Sequence, residues 1–531
     1  MRNGIFVNRL TFRRWPGIRK VPGRIIKMDL NRVEGDVEIK LEVDGNMVTD
    51  AWCVGTTYRG FEQILVGRDP KDALVITPRI CGICSTSQLY AATSALEVAF
   101  QSPLAPNGTR IRNLCLMAEG VMSDARHTFL MFAPDLCNEA YRGHPLYDEA
   151  LALFEAPFKG RVARETVQYS KQILGIVIAF GGQWPHSTYM APGGVTCDLT
   201  PETLAACLQA IDAYTRWYEE VVLGCSSERW LALRTMDDFF AWLDEDERHQ
   251  RSAVGVFTRF GRVLGLHQTG LGTPHLLSAG SYYDPEQWRA PFRERHCLLP
   301  AGFYNGETRQ VEAFDPNEVA EHVRYSWYVD DGGGRHPWEG ETKPDYQPES
   351  DRYTFGKAPR YRDQVVQLGP LSDLVIAGDS LLTPFFQAEG ANTWLRQFAR
   401  LHRPVSLLQQ MRATVVELQR HIAEPTFIKT DAGTDGDGCG LINAARGSLG
   451  HWVKIKGGRI ANYQVITPTS WNGSPRDSSG RRGHWEESFI GLEIKDLENP
   501  IELCHVVRSH DACLVCTVHF TKSGKKRTFL V

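Results

Sequence analysis

The spacing of apolar and polar residues changes character several times along the chain. In residues 24–54, Val37, Ile39, Leu41 and Val43 alternate with polar neighbours, the period-two pattern of a half-buried strand. Asp44-Gly45 then offers a hairpin turn before a returning strand. From about residue 86 to 245 the spacing becomes helical. Thr200-Pro201-Glu202 is a helix start, with Thr200 as cap and proline at the first position, and Leu204 to Leu223 carries apolar residues at helical spacing. Residues 330–365, rich in glycine, proline and charge, predict a long irregular excursion of the kind that is functional or forms an interface. Helical spacing reappears over 387–423, alternation over 449–467 around the turn pair Gly457-Gly458, and helix again from about Glu486. The expected class is α+β and predominantly α-helical, with small β elements near both ends.

Composition narrows the function classes. At 531 residues the chain is long for one ordinary core, and 42% hydrophobic with 23% charged residues is the balance of a soluble globular protein. A net charge of -4 gives no general reason to expect nucleic acid or an anionic membrane as partner. The longest apolar stretch, Ile173 to Phe180, falls far short of the ~20 residues a membrane helix needs, so no direct membrane insertion is expected. The N-terminus is basic (Arg2, Arg9, Arg13, Arg14, Arg19, Lys20). Trp15-Pro16-Gly17 follows Arg13-Arg14 where a twin-arginine export signal would have an apolar run, so a solvated arm is expected.

The 13 cysteines are odd in number and scattered, which fits reduced thiols in the cytoplasm better than a disulfide framework. Nine stand alone and read as small buried hydrophobes. The other four form two Cys-x-x-Cys pairs, Cys81/Cys84 and Cys513/Cys516. One such pair is a weak signal, but two can supply four thiolates, which favour zinc, iron–sulfur, copper(I) or nickel. Structural zinc sites usually separate their pairs by about 15–20 residues. Here about 430 residues intervene, so the fold has to bring both ends of the chain together. A closed zinc site stapling the termini is one reading. The flanking residues favour another: Arg79 precedes the first pair, and Asp511 and His519 bracket the second. Structural zinc needs none of these, whereas a reaction centre needs charge and proton handling beside its metal.

The blocks Arg79-Ile80-Cys81-Gly82-Ile83-Cys84 and Asp511-x-Cys513-x-x-Cys516-x-x-His519 resemble the two metal-binding signatures of nickel–iron hydrogenase large subunits. The resemblance runs in order along the chain. It includes Arg32-Val33-Glu34-Gly35, Arg59-Gly60-Phe61-Glu62, Gly181 to His186, Tyr325 to Tyr328, Lys357 to Tyr361, Arg446-Gly447 and Pro468 to Asn472. It implies that family's fold, with a central helical bundle, and an enzyme that cleaves H2 to protons and electrons. Cys81 and Cys513 would bind nickel terminally, while Cys84 and Cys516 would bridge nickel and iron. Iron would carry carbon monoxide and cyanide, held by hydrogen bonds in a pocket formed by Arg446, Thr469 and Ala445. Glu62 and His519 would help hold Mg2+ near the C-terminus, whose hardness suits carboxylate oxygen. Cys513 or Arg446 would serve as base, Glu34 as proton relay and Asp511 as a charge partner. The family also implies an iron–sulfur small subunit as obligate partner, possible higher oligomers, nickel-insertion factors and a maturation endopeptidase. Residues 1–519 would form the large-subunit domain, with its C-terminal metal-binding part at 440–519. Phe520 to Val531 resembles the extension removed on maturation, which H2-sensing relatives generally lack. Membrane association, where it occurs, would come through partners.

Several positions depart from the family pattern. Gln88 stands where a histidine is usual; glutamine can donate a hydrogen bond toward a thiolate but cannot carry a proton. Ser123-Asp124 replaces a common Asp-His pair, His127 matches a family histidine, and Ala445 and Ala512 replace prolines. The alternatives to an uptake-type enzyme are an H2 sensor, a respiratory quinone-site subunit of related fold, which lacks the four cysteines, and a structural zinc protein.

Overall fold

Both expected hairpins form, and each lies next to a segment that builds the site. The computed structural model describes residues 24–29, 32, 37–285, 296–330, 332–429 and 433–513. Glu34, Cys516, His519, the basic arm and the 520–531 extension lie outside the described residues. Strands Arg24–Asp29, Val37–Asp44 and Met47–Gly55 pair antiparallel in that order, and the turn falls at Gly45, whose φ of 61° is the left-handed value such a turn requires. The alternation puts Ile39, Leu41, Val43 and Ala51 on one face, where they pack against Trp485, Phe489, Leu503 and Val506 of the C-terminal segment. Backbone bonds from Val48 N to Leu492 O and from Ile494 N to Asn46 O join the two regions. This is how the two ends of the chain meet.

The body is helical. Helices Ser85–Phe100, Pro106–Arg126, Arg161–Gly181, Pro201–Trp217 and Thr393–Arg420 share one large apolar core. Thr200 caps its helix by accepting from Thr203 N at 3.2 Å, as read from the sequence. The Pro106–Arg126 helix runs into a widened π-helical stretch, His127–Phe132, so the register changes at His127.

A second three-stranded antiparallel sheet, Gly436–Ala444, Gly447–Lys456 and Arg459–Ile466, lies on the Ser85–Phe100 helix. Its first strand presents Gly436, Gly438 and Gly440 on one face, against Ala99, Ala95 and Ala91. A Cβ on Gly438 would come within 1.8 Å of Ala95 O, so only glycine permits this approach. The close fit fixes the helix that follows Cys84 against the hairpin that carries Arg446.

Three further β elements are described: Met190–Ala191 with Gly194–Val195, Leu276–Tyr283 with Cys297–Asn305 and Gln310–Glu312, and Val319–His322 with Ala358–Tyr361. The 330–365 excursion is otherwise irregular, with isolated bridges such as Tyr328 to Pro344.

Candidate metal centre

Three of the four predicted cysteines meet. The Sγ atoms of Cys81, Cys84 and Cys513 lie within 4.8 Å of one another, and those of Cys81 and Cys513 are 3.5 Å apart. All three are buried, between 1 and 6% exposed. Cys81 follows the short helical turn Thr77–Arg79, and Cys84 immediately precedes the Ser85–Phe100 helix. Cys513 is delivered from the other end by the Ile501–Ser509 helix and a left-handed residue, Asp511, at φ 56°. Asp tolerates that conformation better than most residues, and here it redirects the chain into the cluster.

Ala445 and Arg446 are the two turn residues between paired Ala444 and Gly447, so Arg446 projects from a tight hairpin tip. Its Nε lies 2.9 Å from Asp511 Oδ1. Burial works against the guanidinium charge, but Asp511 first, then Cys513, Cys84 and Cys81, hold it protonated well above the ordinary arginine range. Among the described residues neither Nη1 nor Nε of buried Arg446 makes a hydrogen bond, Nε meeting Asp511 as an ion pair only. An orphan donor beside three thiols is costly unless a ligand accepts from it. Thr469, in the short helix Pro468–Asn472, accepts from Cys513 N at 3.3 Å, which leaves its own hydroxyl hydrogen to donate.

Asp511 is the centre of a buried charge network that the sequence reading only touched. His127 Nδ1 stands 3.0 Å from its Oδ1, and His127 Nε2 is 2.6 Å from Arg508 O. Arg400 Nη1 reaches Asp511 at 3.4 Å and Asp124 at 3.5 Å. Arg403 holds Asp124 with two bonds of 2.8 and 2.9 Å, Asp373 at 3.3 Å, and the carbonyl of Ala445 at 2.9 Å. Burial opposes ionisation of Asp511, yet Arg446, His127 and Arg400 hold its carboxyl well below the usual carboxylate range. Arg396 and Gln397 clamp the same segment through Ser509, at 2.9 Å to Oγ and 3.1 Å to its carbonyl. Arg396, Arg400 and Arg403 were not singled out in the sequence. Their signal is the spacing i, i+4, i+7, which sets three arginines along one side of the buried N-terminal half of the helix.

Other predicted residues go elsewhere. Gln88 turns its Oε1 to His451 Nε2 at 2.8 Å, and His451 Nδ1 meets Tyr463 OH at 2.8 Å, so the amide oxygen serves a buried chain leading away from the thiols. Glu62 occupies a separate cavity of about 60 Å3 with Glu321, Thr342 and Lys357. Its Oε1 accepts from Val465 N at 2.9 Å, its Oε2 from the Thr342 hydroxyl, and Lys357 Nζ lies 3.7 Å away. Beside Arg446 and Asp511 a narrow cavity of about 20 Å3, room for about one water, is also lined by Arg32, Ser123, Arg126 and His127.

The donor set fits soft transition metals: buried sulfur ligands converging on one point, a second layer of fixed charges, and an unpartnered cationic donor. The comparisons agree with this chemistry. The family model described as nickel-dependent hydrogenase matches residues 59–141 and 256–519. The chain is 30% identical to a periplasmic [NiFeSe] hydrogenase large subunit of Desulfomicrobium baculatum, over 92% of this chain and 93% of that one. It is 29% identical to an uptake hydrogenase large subunit of Rhodobacter capsulatus, over 93% and 95%. The solved Ni-Fe-Se hydrogenase from D. vulgaris Hildenborough superposes with a TM-score of 0.78 at 26% identity, covering 94% of this chain and all of the matched chain.

Proposed function

The chain belongs to the nickel-dependent hydrogenase family, and we propose that it is the catalytic large subunit of an uptake-type enzyme that splits H2 into protons and electrons. The observation that carries this reading is the convergence of Cys81, Cys84 and Cys513 beside the unpartnered Nη1 of Arg446. These three cysteines, with Cys516, would hold a nickel–iron pair. When bound, that pair supplies a redox-active Lewis-acidic centre for heterolysis of H2, with carbon monoxide and cyanide on iron.

The protein's own groups do the rest. Cys513 Sγ receives the proton, since a thiolate is a base of suitable strength in a buried site. Arg446, held by Asp511, would present its guanidinium as a fixed donor to an acceptor ligand on the iron. Thr469 fixes the Cys513 amide and points its hydroxyl hydrogen into the same pocket. The Ala445 carbonyl, tied to Arg403, keeps the hairpin tip from moving. Burial excludes water from the reacting atoms, which strengthens each of these fixed charges. Glu34 takes the proton onward from Cys513, and the cavity beside Arg446 has room for a relaying water.

Glu62 and His519 would hold Mg2+ in the separate oxygen-rich cavity, where Lys357 stands close by. Electrons pass to an iron–sulfur small subunit, because the remaining cysteines of this chain are not in cluster-like spacing. Nickel-insertion factors and an endopeptidase acting after His519 complete the proposed partners. No described helix is long and apolar enough to cross a membrane. The odd number and scatter of the 13 cysteines support a reducing compartment such as the cytoplasm.

The test is metal analysis and infrared spectroscopy on the full chain co-expressed with its partner and maturation factors. Nickel near one per chain, carbonyl and cyanide stretches, and H2-dependent dye reduction are expected. Zinc alone without such bands would overturn the reading. Nickel and bands with negligible dye reduction would point to H2 sensing.

A further inference from the structure

The helix that starts at Ser85 is capped from outside its own sequence. Its N-cap residue is Cys84, and the Cys84 side chain makes no capping hydrogen bond. A helix start leaves its first amides without internal partners, and an N-cap side chain normally accepts from the second or third of them. Here those amides belong to Thr86 and Ser87. Both are buried, and both are taken by one carboxylate from the neighbouring Pro106–Arg126 helix. Glu119 Oε2 accepts from Thr86 N at 2.9 Å, while Oε1 accepts from Ser87 N at 3.0 Å and from Ser87 Oγ at 2.6 Å. Glu119 is fully buried, and among the described residues no basic side chain is paired with it.

A fully buried carboxylate without a cation is expensive to place, so its position needs a reason. Burial pushes its carboxyl up to about 7, against the donors, which shows how poor this site is for charge. The reason lies two residues upstream. Sulfur is a weak acceptor, and cysteine is a poor N-cap beside serine, aspartate or asparagine. If nothing else satisfied the Thr86 and Ser87 amides, they would turn to the closest acceptor on the N-cap, the sulfur of Cys84. Hydrogen bonds to a ligating sulfur withdraw electron density and shift the potential of the metal it binds.

We propose that Glu119 is a surrogate N-cap: by accepting from Thr86 and Ser87 it leaves the Cys84 sulfur to the metal and fixes the Cys81–Cys84 loop. It is a positioning residue that touches neither substrate nor metal. The proposal rests on the reading of Cys84 as a metal ligand, and nickel content of the unaltered enzyme tests that reading separately.

The experiment compares Glu119→Ala and Glu119→Gln with the unaltered heteromer, using residue-resolved amide hydrogen exchange at 85–88 and the nickel paramagnetic resonance spectrum of the loaded fraction. Loss of both acceptors in Glu119→Ala should speed exchange at Thr86 and Ser87 by about tenfold, the effect of losing a helix cap. It should also shift the nickel spectrum, because the freed amides reach the sulfur. Glu119→Gln keeps one acceptor oxygen, so one of the two amides should stay protected and the shift should be smaller. Unchanged exchange in the alanine variant would overturn the proposal. So would faster exchange with an unaltered nickel spectrum, which would make Glu119 a helix stabiliser only. If the alanine variant does not accumulate, Glu119→Gln decides by the same two readouts. An unaltered enzyme without nickel would remove the premise before any variant is made.

Discussion

Arg446 and Asp511 form a buried ion pair of 2.9 Å that joins a hairpin tip to the segment immediately before Cys513. The pair spends the Nε edge of the guanidinium on the carboxylate, while the thiols of Cys513, Cys84 and Cys81 are near enough to favour its charge. Lysine would keep the charge but not the fork that does both jobs. Arg446→Lys should retain nickel and lose about a hundredfold in H2-dependent dye reduction, the usual effect of removing one preorganised donor. Activity per nickel measures it, and a variant within about twofold of the parent would refute the assigned role.

Thr469 offers a smaller test. Thr469→Val removes the acceptor for the buried Cys513 amide, at a cost of roughly 1–3 kcal/mol. Thr469→Ser keeps the hydroxyl. Nickel content and thermal midpoint should fall in the valine variant and stay near the parent's in the serine variant.

Asp124 anchors Arg403 and Arg400 from the opposite side. Asp124→Ala would leave two buried guanidinium groups short of a partner, a loss on the order of 3–5 kcal/mol. Asp124→Asn keeps the oxygen acceptor and should lose less. Urea unfolding of both variants checks the order, and equal losses would mean that the network adds little here.

Glu486 predicts a pH dependence. Its Oε1 accepts from Cys53 N at 3.1 Å and from Tyr353 OH at 2.7 Å, and burial pushes its carboxyl up to about 7 from 4.5. A raised acid holds its proton more tightly in the folded state. Its contribution is therefore intact below about 4.5 and is lost as pH rises through 7. Glu486→Gln mimics the protonated form at every pH. The stability of the parent relative to this variant should drop by on the order of 3 kcal/mol between pH 4.5 and 8. A difference that stays flat in urea titrations across that range would show that Glu486 titrates normally.

The legible parts of this sequence were those with one wet face. The strand Val37–Asp44 alternates, Arg459–Ile466 keeps exposed and half-exposed positions between buried ones, and the turns at Gly45 and Gly457-Gly458 carry the residues the geometry demands. Leu276–Tyr283 is buried at every position, so no alternation marks it. Gly436–Ala444 escaped for a different reason: its glycines encode backbone approach to a helix rather than side-chain burial. At the site, the cysteines were readable because their chemistry is rare. Glu119, Arg396, Arg400 and Arg403 were not, because a charge in a helix ordinarily faces water. Only their place in largely buried stretches of helix distinguishes them.

The meeting of the two chain ends also has a temporal side. Cys81 and Cys84 leave the ribosome long before Cys513, and the N-terminal sheet packs against the segment that carries Cys513. A partly synthesised or prematurely terminated chain lacks Cys513 and so cannot assemble the three-sulfur cluster. The last-made segment acts as a completeness check, and ribosome-bound or truncated chains should elude loading however much nickel the cell supplies.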